Sequence, residues 1–409
     1  MKKYCLGTIS TGTVLSRSLL LIFLCLCVSA VNLPAQDFRA VADGVEYAEV
    51  TREISGLKVN MNLLRLDLKK VRLDVHHAND MAIGTEKTSA IAARHRAFAA
   101  INAGFFRLDQ SAFAGDPVGA LMIDGHLFSE NINNRTTLRI SNGDKATSIW
   151  IERLEIASWF GINKSEFSGR IHGINRERSE NEKVAYTTEF GESTPIRRSM
   201  ELVFANCSAI ETFSGKEFRC RSAAASPGDG TSTIPKDGFV VSMSLAEFIA
   251  SDGRLDNYLN NQGANGHFYY LRPDVLQDGK RVQIQRSTDI IAGVPQLIKN
   301  SKIDITWEQE KASKSFVETR HPRTAVAKLK DGKFLMITVD GRSESSGGID
   351  LYDLAKLLLE LGATDAMNLD GGGSTTMFLD GKVVNRPSDK EGERKVSDAI
   401  LVTLRKRQK

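Results

Sequence analysis

The sequence predicts an α+β protein in which strand-rich mixed sheets carry a few packed helices. Short segments that alternate apolar with polar residues, such as 71–75, recur along the chain and indicate strands. Helical spacing is confined to a few segments, among them 88–96 and 351–361. With 409 residues, 41% hydrophobic and 25% charged, the chain has a globular composition and enough length for a large core.

The first 36 residues predict a secretory signal peptide. Three basic residues and no acid precede Asp37, and an unbroken apolar run at 19–28 ends in the small residues at 29–30. The run is short for a membrane span, although an uncleaved anchor is the alternative. We expect residues 37–409 to form one domain, soluble after signal removal and secreted or periplasmic.

Charge argues against a nucleic-acid partner. Removing residues 1–36 takes away three basic groups and lowers the formal net charge from +4 to +1. A nearly neutral chain lacks the basic surface that binds phosphate backbones.

The cysteines also indicate export. Cys5, Cys25 and Cys27 lie in the predicted signal, which leaves Cys207 and Cys220. A remaining pair in an exported protein predicts a disulfide, which would contribute about 3 kcal/mol for so short a loop. Two free buried thiols are the alternative.

The sequence also predicts a bulge, a loop and a hairpin among the strands. The alternation changes phase at 63–64, which suggests a β-bulge. Residues 222–236 are rich in Ser, Pro, Gly and Asp and predict an exposed loop. Strands at 324–327 and 334–339 flank the Asp-Gly pair at 331–332, which predicts a hairpin.

A helix is predicted at 351–361, where leucine and alanine recur every three and four residues. Asp350 is a suitable N-cap and Gly362 a suitable stop. Strands are then predicted at 366–369 and 374–379, on either side of three consecutive glycines.

The glycine stretch is the first candidate site. Asp370 stands where a strand stops, a common place for a functional side chain. Consecutive glycines let backbone N–H groups converge on an anion, and the hydroxyls that follow add donors. The residues concerned are Asp370, Gly371, Gly372, Gly373, Ser374 and Thr375. A tight structural turn with a capping Asp is the alternative. No Gly-Lys-Ser/Thr follows, which excludes a P-loop.

This stretch, from Asn368 to Met377, resembles the signature of the phosphodiester glycosidase family. Further stretches resemble the same family in the same order, at 100–106, 115–119, 174–175 with 181–182, 293–297, 321–325, 339–342, 385–389 and 396–399. The resemblance extends from about residue 45 to residue 402. It departs from the family at Ala103, where a second glycine is frequent, and around 207–220.

The resemblance implies an exported hydrolase that cleaves a sugar-1-phosphodiester. The expected substrate is an N-acetylglucosamine-like sugar on a phosphorylated glycan or polymer, and bacterial members are associated with exopolysaccharide. The phosphate is already a good leaving group, so the site must neutralise its charge and stabilise an oxocarbenium-like sugar. Asp370 and Asp340 are the candidate carboxylates, with their acid, base and nucleophile roles left open; Glu344 is a reserve.

The same resemblance suggests the substrate-binding groups. Arg323 and Arg342 are the expected phosphate-binding cations, since a guanidinium grips two phosphate oxygens; surface ion pairing is the alternative. Asn102 is expected to bind sugar hydroxyls, although an Asn there also suits a turn, and Thr324 is a further candidate for binding substrate or phosphate. His321, before a proline, is a further candidate, but a lone His more often packs or faces solvent.

No cofactor is required by this interpretation, although a divalent cation between Asp340, Asp370 and phosphate is compatible with it. No spacing supports zinc or iron, and neither serine-hydrolase nor zincin motifs are present. Two other functions stay open. One is a metal-dependent phosphodiesterase that cleaves P–O. The other is a non-catalytic glycan-binding protein of the envelope.

Overall fold

Antiparallel strands form most of the described chain in the computed structural model, which describes residues 38–163, 168–195, 199–228, 231–250 and 267–406. These residues belong to one unit that extends from Asp37 to Lys409. The predicted signal peptide at 1–36 lies outside the described residues and stays a prediction.

The first sheet has eight strands and is antiparallel throughout. In spatial order the strands are Arg39–Ala42, Val45–Ile54, Leu57–Leu66, Phe334–Val339, Arg323–Leu329, Ala363–Asn368, Gln296–Lys299 and Lys302–Ile303.

Two five-stranded sheets pack near it. The second sheet has the order Thr147–Arg153, Thr136–Asn142, Thr288–Ala292, Leu121–Ile123 and His126–Ser129. The third has the order Lys382–Val383, Met377–Leu379, Ala99–Asn102, Asp398–Leu404 and Val71–His77.

The fourth sheet contains the disulfide hairpin and the one parallel pair found in the described sheets, Gly173–Ile174 with Val184–Thr187. Its order is Ser168–Ile171, Glu155–Ile162, Tyr269–Gln277, Gly215–Gly228, Ser199–Thr212, Phe239–Met243, Val184–Thr187 and Gly173–Ile174, with Lys280–Arg281 paired to Tyr269–Gln277. A fifth sheet pairs Glu86–Lys87 with Lys395–Val396.

Helices are few among the described residues. The α-helices are Thr88–Arg94, Leu245–Ala250, Lys314–Glu318 and Leu351–Glu360, and the 3₁₀ turns are Ala78–Asp80 and Gly372–Ser374. The predicted α+β class is therefore confirmed only in its coarse form: the molecule is mostly β, with helices added to its sheets.

The core explains why the first sheet is nearly apolar on both faces. One face contributes residues such as Leu64, Val326 and Met367 to a cluster shared with the second and third sheets. The other face packs Leu63 and Ala325 against the apolar stripe of the helix Leu351–Glu360. A sheet covered on both faces buries consecutive residues rather than alternate ones.

That double coverage corrects the bulge predicted at 63–64. Strand Leu57–Leu66 pairs with Val45–Ile54 in unbroken register through these positions. Leu63 and Leu64 face opposite clusters, and both are buried. The change of phase reflects two buried faces.

The predicted loop at 222–236 is also corrected in part. Residues 222–228 complete the strand Gly215–Gly228, which pairs with Ser199–Thr212 along its whole length. Cross-strand hydrogen bonds override the turn-forming composition there. The predicted Cys207–Cys220 disulfide is present and joins directly opposed positions of this hairpin.

The helix and hairpin predictions near the C-terminus are confirmed. The Asp350 carboxylate accepts a hydrogen bond from the Asp353 amide at 2.9 Å, and Gly362 adopts a φ of 88° after the helix. Strand Arg323–Leu329 pairs with Phe334–Val339 as expected. The strand predicted at 374–379 is shorter, because Gly372–Ser374 forms a 3₁₀ turn before Met377–Leu379 begins.

Candidate active site

Three strand ends of the first sheet bring the predicted residues to one edge. Arg323 pairs with Val339, and Ala325 pairs with Asn368, in antiparallel register. The start of one strand therefore adjoins the ends of its two neighbours, which places Asp340 and Asp370 at the same edge of the sheet.

Asn102 ties this edge to the third sheet. Its Nδ2 donates to the Asp370 carbonyl at 2.7 Å. Its Oδ1 accepts from the Thr324 hydroxyl at 2.8 Å and the Thr376 amide at 3.1 Å. Asn102 and Thr324 are both fully buried, so the structure gives them positioning contacts instead of the substrate contacts expected from the sequence.

The glycine turn differs from the anion cradle that the sequence suggested. The Gly371 amide donates to Asp370 Oδ1 at 2.9 Å. The Gly372 amide donates to Pro322 O at 2.9 Å, and the Ser374 amide to Gly371 O at 3.1 Å. These donors are already satisfied by the protein, so they are not free to bind an anion.

The glycines instead allow charged side chains to approach the backbone closely. Gly372 has a φ of +61°, and a Cβ built there would lie 3.0 Å from Arg342 Nη2. A Cβ on Gly373 would lie 2.2 Å from both Arg394 Nη2 and Asp389 Oδ1. A side chain at Gly373 would therefore collide with Arg394 and Asp389, and one at Gly372 would press against Arg342 in a strained left-handed conformation.

Arg342 is the exposed cation at this turn. Its Nη2 lies 3.5 Å from His321 Nδ1. Burial, together with the charges of Arg323 and Arg342, lowers the pKa of His321, so a positive charge on that imidazole is disfavoured. Arg342 is therefore placed to meet an anion arriving at the turn.

Arg323 is arranged differently, and the phosphate contact predicted for it is at odds with its geometry. It is 2% exposed, and its Nη2 donates to the carbonyls of Phe316 and Thr319 at 2.7 and 2.8 Å. Its Nε donates to Ile349 O at 3.3 Å. Burial lowers its pKa to about 10, which leaves it charged at neutral pH. Arg323 thus anchors the segment that precedes Pro322.

Asp370 has an unusually high pKa. Burial raises it to about 7, and the charge of Asp398 adds to the effect, while hydrogen bonding by Ser374 and Gly371 and the charge of Arg394 oppose it. Asp370 as a whole residue is nevertheless partly exposed to solvent. A carboxyl with this pKa exchanges its proton near neutral pH.

Asp340 is the second predicted carboxylate, and burial raises its pKa as well. Its Oδ1 accepts from the Arg386 amide at 3.1 Å and from Asn385 Nδ2 at 3.3 Å. Asn385 Oδ1 also accepts a hydrogen bond from the Met377 amide, and Asn385 Nδ2 donates to Thr375 O. Asp340 is therefore linked to the segment that follows the glycine turn.

Several hydroxyls at this edge lack partners. The Oγ1 atoms of Thr338, Thr375 and Thr376 are buried and make no hydrogen bond to any of the residues that the structure describes. Buried hydroxyls without protein partners require ordered water or a ligand. The edge therefore contains hydroxyl groups whose hydrogen bonds are not satisfied by the described protein residues.

Residues 224–403 match the family model described as phosphodiester glycosidase. The predicted family resemblance is confirmed. The glycine turn, Asp340 and the arginines above the turn all lie within the matched residues.

Relatives show how far this similarity extends. An uncharacterized prophage protein of Bacillus subtilis is 42% identical over 87 residues, which are 21% of this chain and 13% of that protein. N-acetylglucosamine-1-phosphodiester alpha-N-acetylglucosaminidase of Bos taurus is 34% identical over 129 residues, 29% of this chain and 24% of that enzyme.

A hypothetical protein from Synechocystis shares the fold. Its crystal structure gives a TM-score of 0.69 with 22% identity, covering 91% of this chain and 64% of that chain. Each of these three matches covers less than two thirds of the relative's own length.

Sequence reasoning assigned no role to the residues that complete this edge. They are Asn385, Arg386, Asp389 and Arg394. The motif at 385–389 was the available indication, but nothing in its spacing shows that it folds back over Gly373 and Asp340. Only the tertiary structure brings it there.

Polar groups define the edge at the glycine turn. Three surface clefts of about 550, 330 and 250 Å³ are lined by other residues, and Asp340, Asp370 and Arg342 line none of them.

Among the described residues no helix has the length and apolar character needed to cross a membrane.

Proposed function

We propose that the chain is an exported glycosidase that hydrolyses a sugar-1-phosphodiester, with an N-acetylglucosamine-like sugar on a phosphorylated glycan or polymer. The observation that carries the proposal is Asp370, whose carboxyl has a pKa of about 7 in a glycine turn lying beneath the exposed Arg342. This turn belongs to the segment that matches the phosphodiester glycosidase family. The name of the bovine relative supports the substrate class.

The proposed division of labour follows from the chemistry of the bond. Cleavage at the anomeric carbon releases a phosphate monoester, which leaves as a stable anion. Arg342 pairs with the phosphate oxygens through its planar guanidinium. Asp370 accepts the proton that the attacking water loses as it bonds to the anomeric carbon, and a pKa near neutrality suits a general base at neutral pH.

Asp340 is proposed as the second carboxylate of the reaction. The Arg386 amide and Asn385 hold one of its oxygens in place. A carboxylate held in this way can stabilise positive charge that develops on the sugar ring. This role is separate from phosphate binding, and changing Asp340 should impair turnover more than binding.

The test is hydrolysis of the methyl ester of N-acetylglucosamine-1-phosphate in ¹⁸O-labelled water by the full chain secreted from its host. Label in the released sugar supports glycosidic cleavage. Label in the phosphate would identify a phosphodiesterase instead. Saturable glycan binding without turnover would identify a binding protein and overturn the proposal.

Asp380→Asn is a matched control for the carboxylate. Asp380 is exposed and adopts a φ of 47°, which asparagine tolerates. This variant should hydrolyse the ester at the unaltered rate.

A further inference from the structure

His76, Asp80 and His95 form a cluster that the proposed function leaves unused. One ligand atom from each residue lies within 4.8 Å of the other two. His76 belongs to the strand Val71–His77, and Asp80 ends the 3₁₀ turn Ala78–Asp80. His95 is the C-cap of the helix Thr88–Arg94. Three separate elements thus direct metal-ligating groups to one place.

The distances in this cluster suit a small metal ion. Asp80 Oδ1 lies 3.0 Å from His95 Nε2 and 3.8 Å from His76 Nδ1. Zinc binds nitrogen and oxygen at about 2.0–2.2 Å, so a tetrahedral site separates its ligand atoms by about 3.4 Å. The two observed separations lie on either side of that value. The imidazole rings are stacked with centroids 3.5 Å apart, so a shared metal requires them to rotate until a ring nitrogen of each points at the same position.

Arg94 places a positive charge beside the cluster. Its Nη1 bonds Asp80 Oδ2 and lies 2.9 Å from His95 Nε2. Its Nε and Nη2 also pair with Glu86, at 3.4 and 2.8 Å. Glu86 can therefore retain Arg94 when a metal takes its place beside Asp80.

We propose that His76, Asp80 and His95 bind a borderline divalent transition metal such as Zn²⁺, in competition with Arg94. Two imidazoles and one carboxylate suit zinc, nickel or copper, whereas magnesium and calcium prefer oxygen ligands. The side chains of His76, Asp80 and His95 keep 26%, 55% and 23% of their surface exposed. That exposure gives a metal access from solvent and leaves room for water in the remaining coordination positions.

The test is zinc titration of the full, tag-free chain by calorimetry, with the melting temperature as a second measurement. We expect one saturable Zn²⁺ per chain and a rise in melting temperature of roughly 3 °C or more at saturation, reversed by EDTA. Magnesium should give neither effect. Absence of saturable zinc binding would overturn the proposal and leave an ion-pair network.

Variants locate the site. His76→Ala and His95→Ala should each weaken zinc binding by roughly tenfold or more, whereas His172→Ala, at an exposed position outside the cluster, should not. Zinc binding that survives both cluster substitutions would place the metal elsewhere. Cobalt(II) absorption of the unaltered protein gives a readout that does not depend on how a variant folds.

Arg94→Gln tests the competition. It removes the positive charge and leaves a shorter, neutral hydrogen-bond donor, so zinc should bind more tightly than to the unaltered chain. Weaker binding would show that Arg94 orders the ligands and would reject competition.

Discussion

Asp370 combines a fixed orientation with a proton that can leave near neutral pH. The Gly371 amide holds one carboxylate oxygen, and burial raises the pKa of the group to about 7. The raised pKa means that the folded protein holds this proton more tightly than the unfolded chain does. The stability associated with the protonated form is fully present below about pH 4 and is lost as the pH rises through 7.

Asp370→Asn therefore has two expected effects. Turnover should fall at least about a hundredfold, since the proton-transfer group is gone. The melting temperature at pH 8 should not fall, because asparagine removes a charge that burial disfavours, and any gain over the unaltered protein should shrink towards pH 5. Turnover and melting are measured on one preparation at both pH values. Preserved turnover would reject the catalytic role.

Replacing the two arginines of the edge should affect different properties of the protein, turnover for Arg342 and stability for Arg323. Arg342→Gln should lower turnover of the phosphodiester with little change in melting temperature, because Arg342 is exposed. Arg323→Gln should lower stability by about 2 kcal/mol or more, because three carbonyls lose a charged donor. Both are measured by kinetics and thermal unfolding. If Arg342→Gln impaired a neutral aryl glycoside equally, phosphate binding would not be its role.

At the scale of elements, the glycine turn and the segment 385–396 act as a pair. Glu393 accepts hydrogen bonds from the Ser89 amide and hydroxyl, and Lys395–Val396 pairs with Glu86–Lys87. The Asp389–Arg394 ion pair, formed by the same segment, lies directly on Gly373. The turn has no side chain there because the neighbouring segment occupies the space.

Gly373→Ala should therefore displace the ion pair and reduce turnover, without the strain of a left-handed φ. The effect should be smaller in an Arg394→Ala background, since one of the two collision partners is gone and the other, Asp389, is released from its ion pair. A double-mutant cycle of turnover measures this coupling. Additive losses in the double variant would show that the contact does not matter.

The disulfide hairpin is a second element with its own prediction. The disulfide joins Cys207 and Cys220, which are 13 positions apart in the sequence. Replacing both cysteines with alanine should lower the free energy of unfolding by about 3 kcal/mol. Turnover of the folded fraction should persist, because the hairpin belongs to a different sheet from the glycine turn. Non-reducing mass spectrometry of secreted protein that found two free thiols would contradict the bond.

At the scale of the whole molecule, the candidate site exists because two sheets meet. Asn102 in the third sheet holds Thr324 of the first sheet, Thr376, and the backbone of Asp370. Its side chain has no exposed surface. The alignment of the carboxylates thus depends on a buried joint rather than on the glycine turn alone.

Asn102→Ala tests this joint. Three polar groups would lose a partner in a dry environment, which should lower stability by roughly 1–3 kcal/mol. As a positioning residue it should affect kcat more than KM, whereas direct sugar binding would raise KM. Kinetics at a temperature where the variant is folded distinguish the two.

The sequence by itself determined the local features of this protein. Asp350 and Gly362 bound a helix, the 331–332 pair makes a hairpin, and Cys207 meets Cys220. Each depends on backbone preferences or on chain proximity, which a few neighbouring residues encode. The signature from 368 to 377 likewise indicated the similarity to the family whose model matches residues 224–403.

Only the tertiary structure decided which of the predicted residues face a ligand. Arg323 and Arg342 look equivalent in sequence, yet one is bound by three carbonyls in the interior and the other is exposed above Gly372. Asn102 became a joint, and Arg394 came to lie on Gly373. These outcomes depend on contacts between residues up to hundreds of positions apart, and such contacts are set by how the sheets pack rather than by any local pattern.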